Sequence, residues 1–226
     1  MGYIPFKEIK VTPADDQEIY VSGSTIGIYM QTEGVLVIDT GEIQNRNGET
    51  EEPARNIIRQ GDYIISFNGE KISTKRELID DISELDGSEV TLGISRKGES
   101  IPVSVTPVKD KKGDYKLGIW VRDDTQGIGT LTYVDQNGNY GALGHGISDI
   151  DTAQLLNIRN GALYKARILA INKGSKGNPG ELAGYICYDD RNILGTIEAN
   201  SRNGIYGQFT GCLLYTSPSP RDGATS

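Results

Sequence analysis

Apolar residues in this chain alternate with polar or glycine positions, and the alternation comes in short runs. Ile26-Gly27-Ile28-Tyr29-Met30 and Gly34-Val35-Leu36-Val37-Ile38 read as two strands joined by the polar turn Gln31-Thr32-Glu33. Residues 57–72 hold two more apolar runs around Asn68-Gly69, a dipeptide that tolerates the positive φ angles of a tight hairpin turn. One stretch switches to helical spacing. Leu78, Ile79, Ile82 and Leu85 fall on one face, Thr74 and Glu77 have capping-box spacing, and Gly87 stops the helix. Residues 90–96 and 101–105 are strands around Lys97-Gly98-Glu99.

This order, β-β-loop-β-β-helix-β-β over residues 20–108, with Gly61-Asp62-x-Ile64 and Asn68-Gly69-x-x-Ile72, resembles a PDZ domain. The resemblance implies that an extended peptide adds to a sheet edge beside the helix. Main-chain hydrogen bonds then give affinity and side-chain pockets give specificity. The apolar-Gly-apolar pattern puts the carboxylate-holding loop at Thr25-Ile26-Gly27-Ile28, where Gly27 lets backbone N–H groups converge on an anion. Ile26, Ile28 and Ile79 would line the groove; Ile26 and Ile28 read equally well as core strand residues. Residues 1–19, with Pro5, Pro13 and Asp15-Asp16, read as an N-terminal linker or pairing strand. The polar stretch that ends in residues 109–116 reads as the inter-domain linker.

Beyond it, residues 117–122, 128–134, 139–143, 162–171, 183–188, 192–198 and 204–209 are short strand candidates, with Asn137-Gly138 at a hairpin turn. Strands at such spacing with glycine turns fit a barrel or sandwich. The expected class is therefore mainly β, with two domains. The 29 glycines agree with many turns.

Charge narrows the partners. A net charge of -8 disfavours a nucleic-acid surface, which needs a basic patch, and leaves a peptide or protein partner open. Cys187 and Cys212 are too few for a disulfide framework. No run of about 18 apolar residues could span a membrane, and Met1 begins no charged-then-apolar signal. Phe6 stands where a myristoylation motif wants Ser or Thr.

His145, the only histidine, lies between Gly144 and Gly146 after a short apolar run. Its side chain can exchange a proton near neutral pH, so it is a candidate general base, while local chemistry alone reads better as a lone surface or core histidine in a glycine-rich turn. Gly127-Ile128-Gly129-Thr130-Leu131-Thr132, the block from Ala142 to Thr152, Lys173 to Leu182 and Gly204-Ile205-Tyr206-Gly207 together resemble the stage IV sporulation protein B family. These are serine peptidases of endospore formers with a PDZ domain in front. The resemblance covers roughly residues 20–211, and Ala142-Leu143-Gly144-His145-Gly146-Ile147-Ser148-Asp149-Ile150-Asp151-Thr152 is its most specific part.

The resemblance implies a partial chymotrypsin-like barrel over residues 117–211, with His145 as catalytic base. The family's aspartate and serine, the latter in a Gly-Met-Ser-Gly-Ser-Pro-like motif, are not found in the 226 residues. The polypeptide is therefore expected to be an inactive fragment of an endopeptidase, or a non-catalytic PDZ scaffold. The family implies a membrane-anchored or secreted parent, exported to the space between the two membranes of the developing spore. Residues 212–226 depart in style. Cys212 to Asp222 resembles translated sequencing adapter, and Ser217 and Ser219, flanked by prolines, are poor nucleophile candidates.

Other constellations are weaker. His145, Asp149 and Asp151 have loop spacing that a solvated turn explains better than a metal does, and Asp149 and Asp151 read as structural. Lys173 to Gly180 lacks the order of a phosphate-binding loop. Cys187 reads as a buried thiol. No cofactor and no metal is expected.

Overall fold

Several of the short apolar runs fuse into longer strands in the computed structural model, which describes residues 18–211. In chain order the first elements are β1 (Ile19–Val21), β2 (Thr25–Thr40), β3 (Ile43–Gln44), β4 (Thr50–Glu51), β5 (Tyr63–Phe67) and β6 (Glu70–Lys71). Helix α1 (Lys75–Ser83), β7 (Val90–Arg96), β8 (Glu99–Val105), β9 (Val108–Lys109) and β10 (Tyr115–Lys116) follow. The rest comprises β11 (Ile119–Asp135), β12 (Asn139–Ala142), β13 (Ile158–Asn172), β14 (Glu181–Ile186), β15 (Ile193–Ile197), β16 (Ala199–Ser201) and β17 (Gly204–Gln208).

The two strands expected at residues 26–30 and 34–38 are one strand, β2. The expected turn at Gln31-Thr32-Glu33 is extended because partners hold it on both sides: Gln31 pairs with Asp124 of β11, and Thr32 with Ile158 of β13. The Thr32 hydroxyl, in a fully buried side chain, donates to the Gly34 carbonyl at 2.6 Å and lies 3.1 Å from that of Asp123. Gly34 has φ +87, and a Cβ there would sit 2.6 Å from the Ile64 carbonyl oxygen. Glycine is what lets β2 bend past β5 at this point.

The fold is mainly β, a PDZ domain joined to a curled half-barrel sheet that is compatible with part of a chymotrypsin-like fold. The main sheet runs β16-β17-β12-β11-β2-β5-β7-β8, with β13 also on β2 and carrying β14 and β15. Two apolar cores lie along it. One packs Ile26, Ile28, Met30, Leu131, Tyr140, Leu163 and Ile205. The other packs Val35, Val37, Ile64, Leu78, Leu92, Val105 and Leu117, with Ile119 and Val121 against it.

Both β2 and β11 pass through both cores. The packing therefore cuts the chain differently from the boundaries read in sequence. Residues 25–30 belong with the half-barrel, and residues 117–121, expected to open the second domain, complete the PDZ core. Residues 109–116 are more than a tether, because β10 pairs with β9.

Helix α1 starts at the expected cap but ends at Ser83, short of the stop expected at Gly87, so Leu85 lies beyond it. The Glu77 amide donates to the Thr74 hydroxyl at 3.3 Å and the Thr74 amide to the Glu77 carboxylate at 3.0 Å, so two free backbone donors are satisfied. Leu78 is the buried anchor of the helix. Arg96 grips Asp62 through two nitrogens at 2.8 and 2.7 Å and donates to the Ile57 carbonyl at 2.8 Å.

Candidate active site and peptide groove

His145 stands just past the end of β12. Leu143 and Gly144 have φ 73 and 77, so the chain turns sharply away from the strand. The turn is held by Leu143 N–H to the Thr130 carbonyl and Gly144 N–H to the Ala142 carbonyl, each 3.0 Å. On the other side, a Cβ on Gly146 would strike the Ser201 carbonyl and Leu155, so the glycine is needed for close approach. The imidazole is exposed.

Its Nδ1 lies 3.0 Å from the Gly146 carbonyl oxygen. A carbonyl can only accept, so in the neutral ring this contact favours the tautomer with the proton on Nδ1 and the lone pair on Nε2. That tautomer and orientation are what a general base requires.

The loop after His145 is tightly braced. The Asn200 side chain accepts from the Ile147 amide at 2.9 Å and donates to the Ile147 and Leu156 carbonyls at 2.8 and 2.9 Å. Asp149, whose side chain is 1% exposed, accepts from the amides of Asp151 and Thr152 at 3.0 and 2.9 Å. Arg122 of β11 closes the arrangement, with one nitrogen on Asp149 and the other on Asp151 at 2.9 Å. Asp149 and Asp151 are thus spent on the loop, as their structural reading expected. Among the described residues no group of three or more His, Cys, Asp or Glu is placed to hold a metal.

The expected groove residues separate. Thr25, Ile26, Gly27 and Ile28 lie in β2 with β11 on one side and β13 on the other: Gly27 faces Ile128 in one ladder and Tyr164 in the other. Both edges are occupied, so no peptide can add there. Ile26 and Ile28 are buried in the half-barrel core, and a Cβ on Gly27 would lie 2.6 Å from Ile186. The core-strand reading of Ile26 and Ile28 holds, and the carboxylate loop is not at Thr25–Ile28.

Ile79 does line a groove, of about 790 Å³, whose second wall is the segment Leu117-Gly118-Ile119-Trp120-Val121. Leu78, Ile79 and Ile82 face it from α1, and Lys75, Lys109 and Lys116 ring it. Ile119 and Trp120 pair with Thr40 and Asp39 of β2, and among the described residues no strand occupies their other edge. Leu117-Gly118-Ile119 repeats the apolar-Gly-apolar pattern, and Gly118 has φ +65. This second copy of the pattern was the available signal. It follows the helix in sequence, while the first copy precedes it.

The remaining candidates fall into place. Ser175 and Asn178 exchange backbone hydrogen bonds at 2.8 and 2.9 Å, so the Lys173–Gly180 segment is a tight turn. Cys187 is a free, half-buried thiol. Cys212, Ser217 and Ser219 lie outside the described residues.

Residues 113–219 match the family described as SpoIVB peptidase S55, and residues 24–106 match the PDZ domain. The second half of the chain is thus similar to SpoIVB peptidase S55, and the first half is a PDZ domain. The S55 match runs into the segment whose style departs after Gly211. The groove is built by both matched segments, α1 from the PDZ domain and Leu117–Val121 from the peptidase segment. A Lactococcus lactis subsp. lactis (strain IL1403) protein named "Putative zinc metalloprotease LL2128" is 38% identical over 78 residues, 33% of this chain and 18% of that protein. The chain thus spans less than a fifth of that relative's length. The PDZ domain of the SdrC-like protein Lmo2051 from Listeria monocytogenes is 23% identical, covering 39% of this chain and 87% of that one at a TM-score of 0.33.

Proposed function

We propose that this chain is the peptide-capturing and base-contributing part of a serine endopeptidase of sporulation signalling, exported to the space between the membranes of the developing spore. The observation that carries the catalytic half is the His145 imidazole, exposed at a strand end with its Nδ1 proton held by the Gly146 carbonyl. Nε2 would take the proton of a serine hydroxyl as it attacks the scissile carbonyl, then give it to the leaving amine. The serine and the acid that orients the imidazolium would come from sequence outside the 226 residues.

The binding half rests on the groove. An extended peptide would add to the outer edge of Ile119–Val121. Its terminal carboxylate would sit on backbone N–H groups of the Leu117-Gly118-Ile119 turn, near Lys116, and its last side chain among Leu78, Ile79 and Ile82.

The test is proteolysis of unstructured casein by the native gene product and its His145→Ala variant. A drop of about 10²–10⁴-fold with an unchanged melting temperature is expected. Near wild-type cleavage by the variant would remove His145 from the chemistry, and no cleavage by either protein would leave the second reading, a PDZ scaffold. That reading is favoured by one fact: among the described residues the His145 ring contacts no carboxylate.

A further inference from the structure

We propose that Arg122 is a positioning residue that couples the peptide groove to the His145 loop, so that a C-terminal peptide bound beside α1 alters the setting of the imidazole. The inference rests on the groove assignment above and adds a regulatory link to it.

The link is a continuous set of contacts. Val121 lines the groove, and Arg122 is the next residue on β11. The Arg122 guanidinium holds Asp149 and Asp151 together, a two-carboxylate clamp that a planar fork of donors is suited to make. Asp149 in turn organises residues 149–152 through two amides. The Asp149 amide bonds the Gln154 carbonyl at 2.9 Å and the Leu156 amide bonds the Ile147 carbonyl at 3.0 Å. Residues 147–156 are therefore one braced unit, and His145 is on its stem.

The other groove wall converges on the same place. The Lys75 amide, at the start of α1, donates to Asp123 at 2.8 Å, and Lys75 Nζ lies 3.3 Å from the other carboxylate oxygen. From the PDZ side, the Gln60 side chain donates to the Asp151 carbonyl at 2.9 Å. Three residues in a row, Val121, Arg122 and Asp123, thus touch the groove, the histidine loop and the helix.

The β2–β11 ladder is irregular on both sides of this joint. Its register shifts between Trp120 and Val121 and again between Arg122 and Asp124. A bulged segment re-aims side chains and is less constrained by the ladder than its neighbours. A peptide that pairs with the outer edge of Ile119–Val121 acts directly on this segment, and Arg122 carries the change to two carboxylates of the loop.

The sequence supplies two reporters. Trp120, the only tryptophan, lies in the groove, and His145 is the only histidine. The 226-residue chain, labelled with ¹³C-histidine, is titrated with a heptapeptide ending in a free-carboxylate leucine, with its C-terminal amide as control. Trp120 fluorescence reads occupancy and the single imidazole resonance set reads His145. Saturable changes in both, with one midpoint, are expected.

In Arg122→Gln the Trp120 titration should persist while the imidazole shift collapses. Removing Arg122 leaves Asp149 buried without its partner, which can unfold the loop. Arg122→Gln/Asp149→Asn carries no unpaired buried charge, since the Asp151 carboxylate it releases is exposed, keeps an oxygen for the Asp151 and Thr152 amides, and should behave in the same way. A full imidazole shift in a folded double variant overturns the proposal. So does a wild-type chain whose Trp120 saturates with a silent His145, which leaves the groove standing. A silent Trp120 overturns the groove and the coupling together.

Discussion

Two glycines distinguish the groove between α1 and Leu117–Val121 from the site that the first apolar-Gly-apolar pattern indicates. Gly118 has φ +65, where a Cβ costs about 1–2 kcal/mol from backbone sterics alone. An alanine Cβ would also lie 2.6 Å from the Gly41 carbonyl oxygen and 3.2 Å from Pro53 Cδ. The turn must open to relieve this, against the Gly41 N–H bond to the Gly118 carbonyl at 2.8 Å. A bound carboxylate must then restore the closed turn, so Gly118→Ala should weaken peptide binding by about 2 kcal/mol, roughly 30-fold. Gly27→Ala acts elsewhere. Its Cβ would sit 2.6 and 2.9 Å from two carbons of the Ile186 side chain, an overpacking that costs about 1–3 kcal/mol of stability. It should lower the melting temperature and leave affinity unchanged. Trp120 fluorescence with the leucine-ending heptapeptide measures affinity, and a thermal melt measures stability. Binding that survives Gly118→Ala and vanishes in a folded Gly27→Ala would refute the groove assignment and restore the loop at Thr25–Ile28.

Four other outcomes are expected. Thr74→Ala should cost about 1 kcal/mol in denaturant unfolding by removing the cap of α1. In the wild type, the Ser73 and Thr74 amides hold the Glu77 carboxyl below its usual value of 4.5, so its stabilisation is present above that pH and is lost as pH falls through the lower folded value; a wild-type stability flat down to strong acid would contradict this. Asp62→Ala should cost about 3 kcal/mol, the low end for breaking a buried pair, because Arg96 keeps 20% exposure, and Asp62→Leu/Arg96→Met should recover most of it. The 226-residue polypeptide should not react with a fluorophosphonate, and labelling that survives loss of Ser217 and Ser219 would reveal a missed nucleophile.

What the sequence disclosed was local. The capping box and the alternation of β7 and β8 are set by neighbours in the chain, and they form as read. In the His145 block the positive φ at Gly144 is local geometry, whereas Gly146 answers to the Ser201 carbonyl, distant in sequence. The groove was not legible, because its two walls are far apart in sequence and either apolar-Gly-apolar copy satisfies the local pattern. Burial decides between them. Gly27 faces a strand on each side, while Ile119 and Trp120 have one edge free among the described residues. The clamp of Arg122 on Asp149 and Asp151 was equally out of reach. Its partners are 27 and 29 residues apart, and nothing in the spacing marks Arg122 as different from other arginines.

The shared strands yield a last expectation about which piece of the chain folds alone. A fragment of residues 20–108 has every element of the PDZ order read from sequence. It lacks Leu117, which is 2% exposed in the PDZ core, and it lacks Ile119 and Val121, which pack against that core. Losing one fully buried leucine costs about 2–5 kcal/mol, a large share of the roughly 5–15 kcal/mol that holds a small domain together. The same fragment also strips β11 and β13 from Ile26, Ile28 and Met30, which are at most 2% exposed in the whole chain. Its N-terminal half of β2 would be an unpaired apolar edge, the kind that invites aggregation. A fragment of residues 33–123 reverses both defects. It drops Ile26 to Met30 and keeps Leu117 to Asp123, with the groove and the Lys75–Asp123 contact intact. Amide proton spectra of the two fragments make the comparison direct. Residues 33–123 should give dispersed signals and bind the leucine-ending heptapeptide, and residues 20–108 should give collapsed or broadened signals and no binding. The opposite result would mean that β11 is dispensable to the PDZ core. The peptide site would then have to be sought on β2, and Arg122 would lose its place between the groove and the histidine.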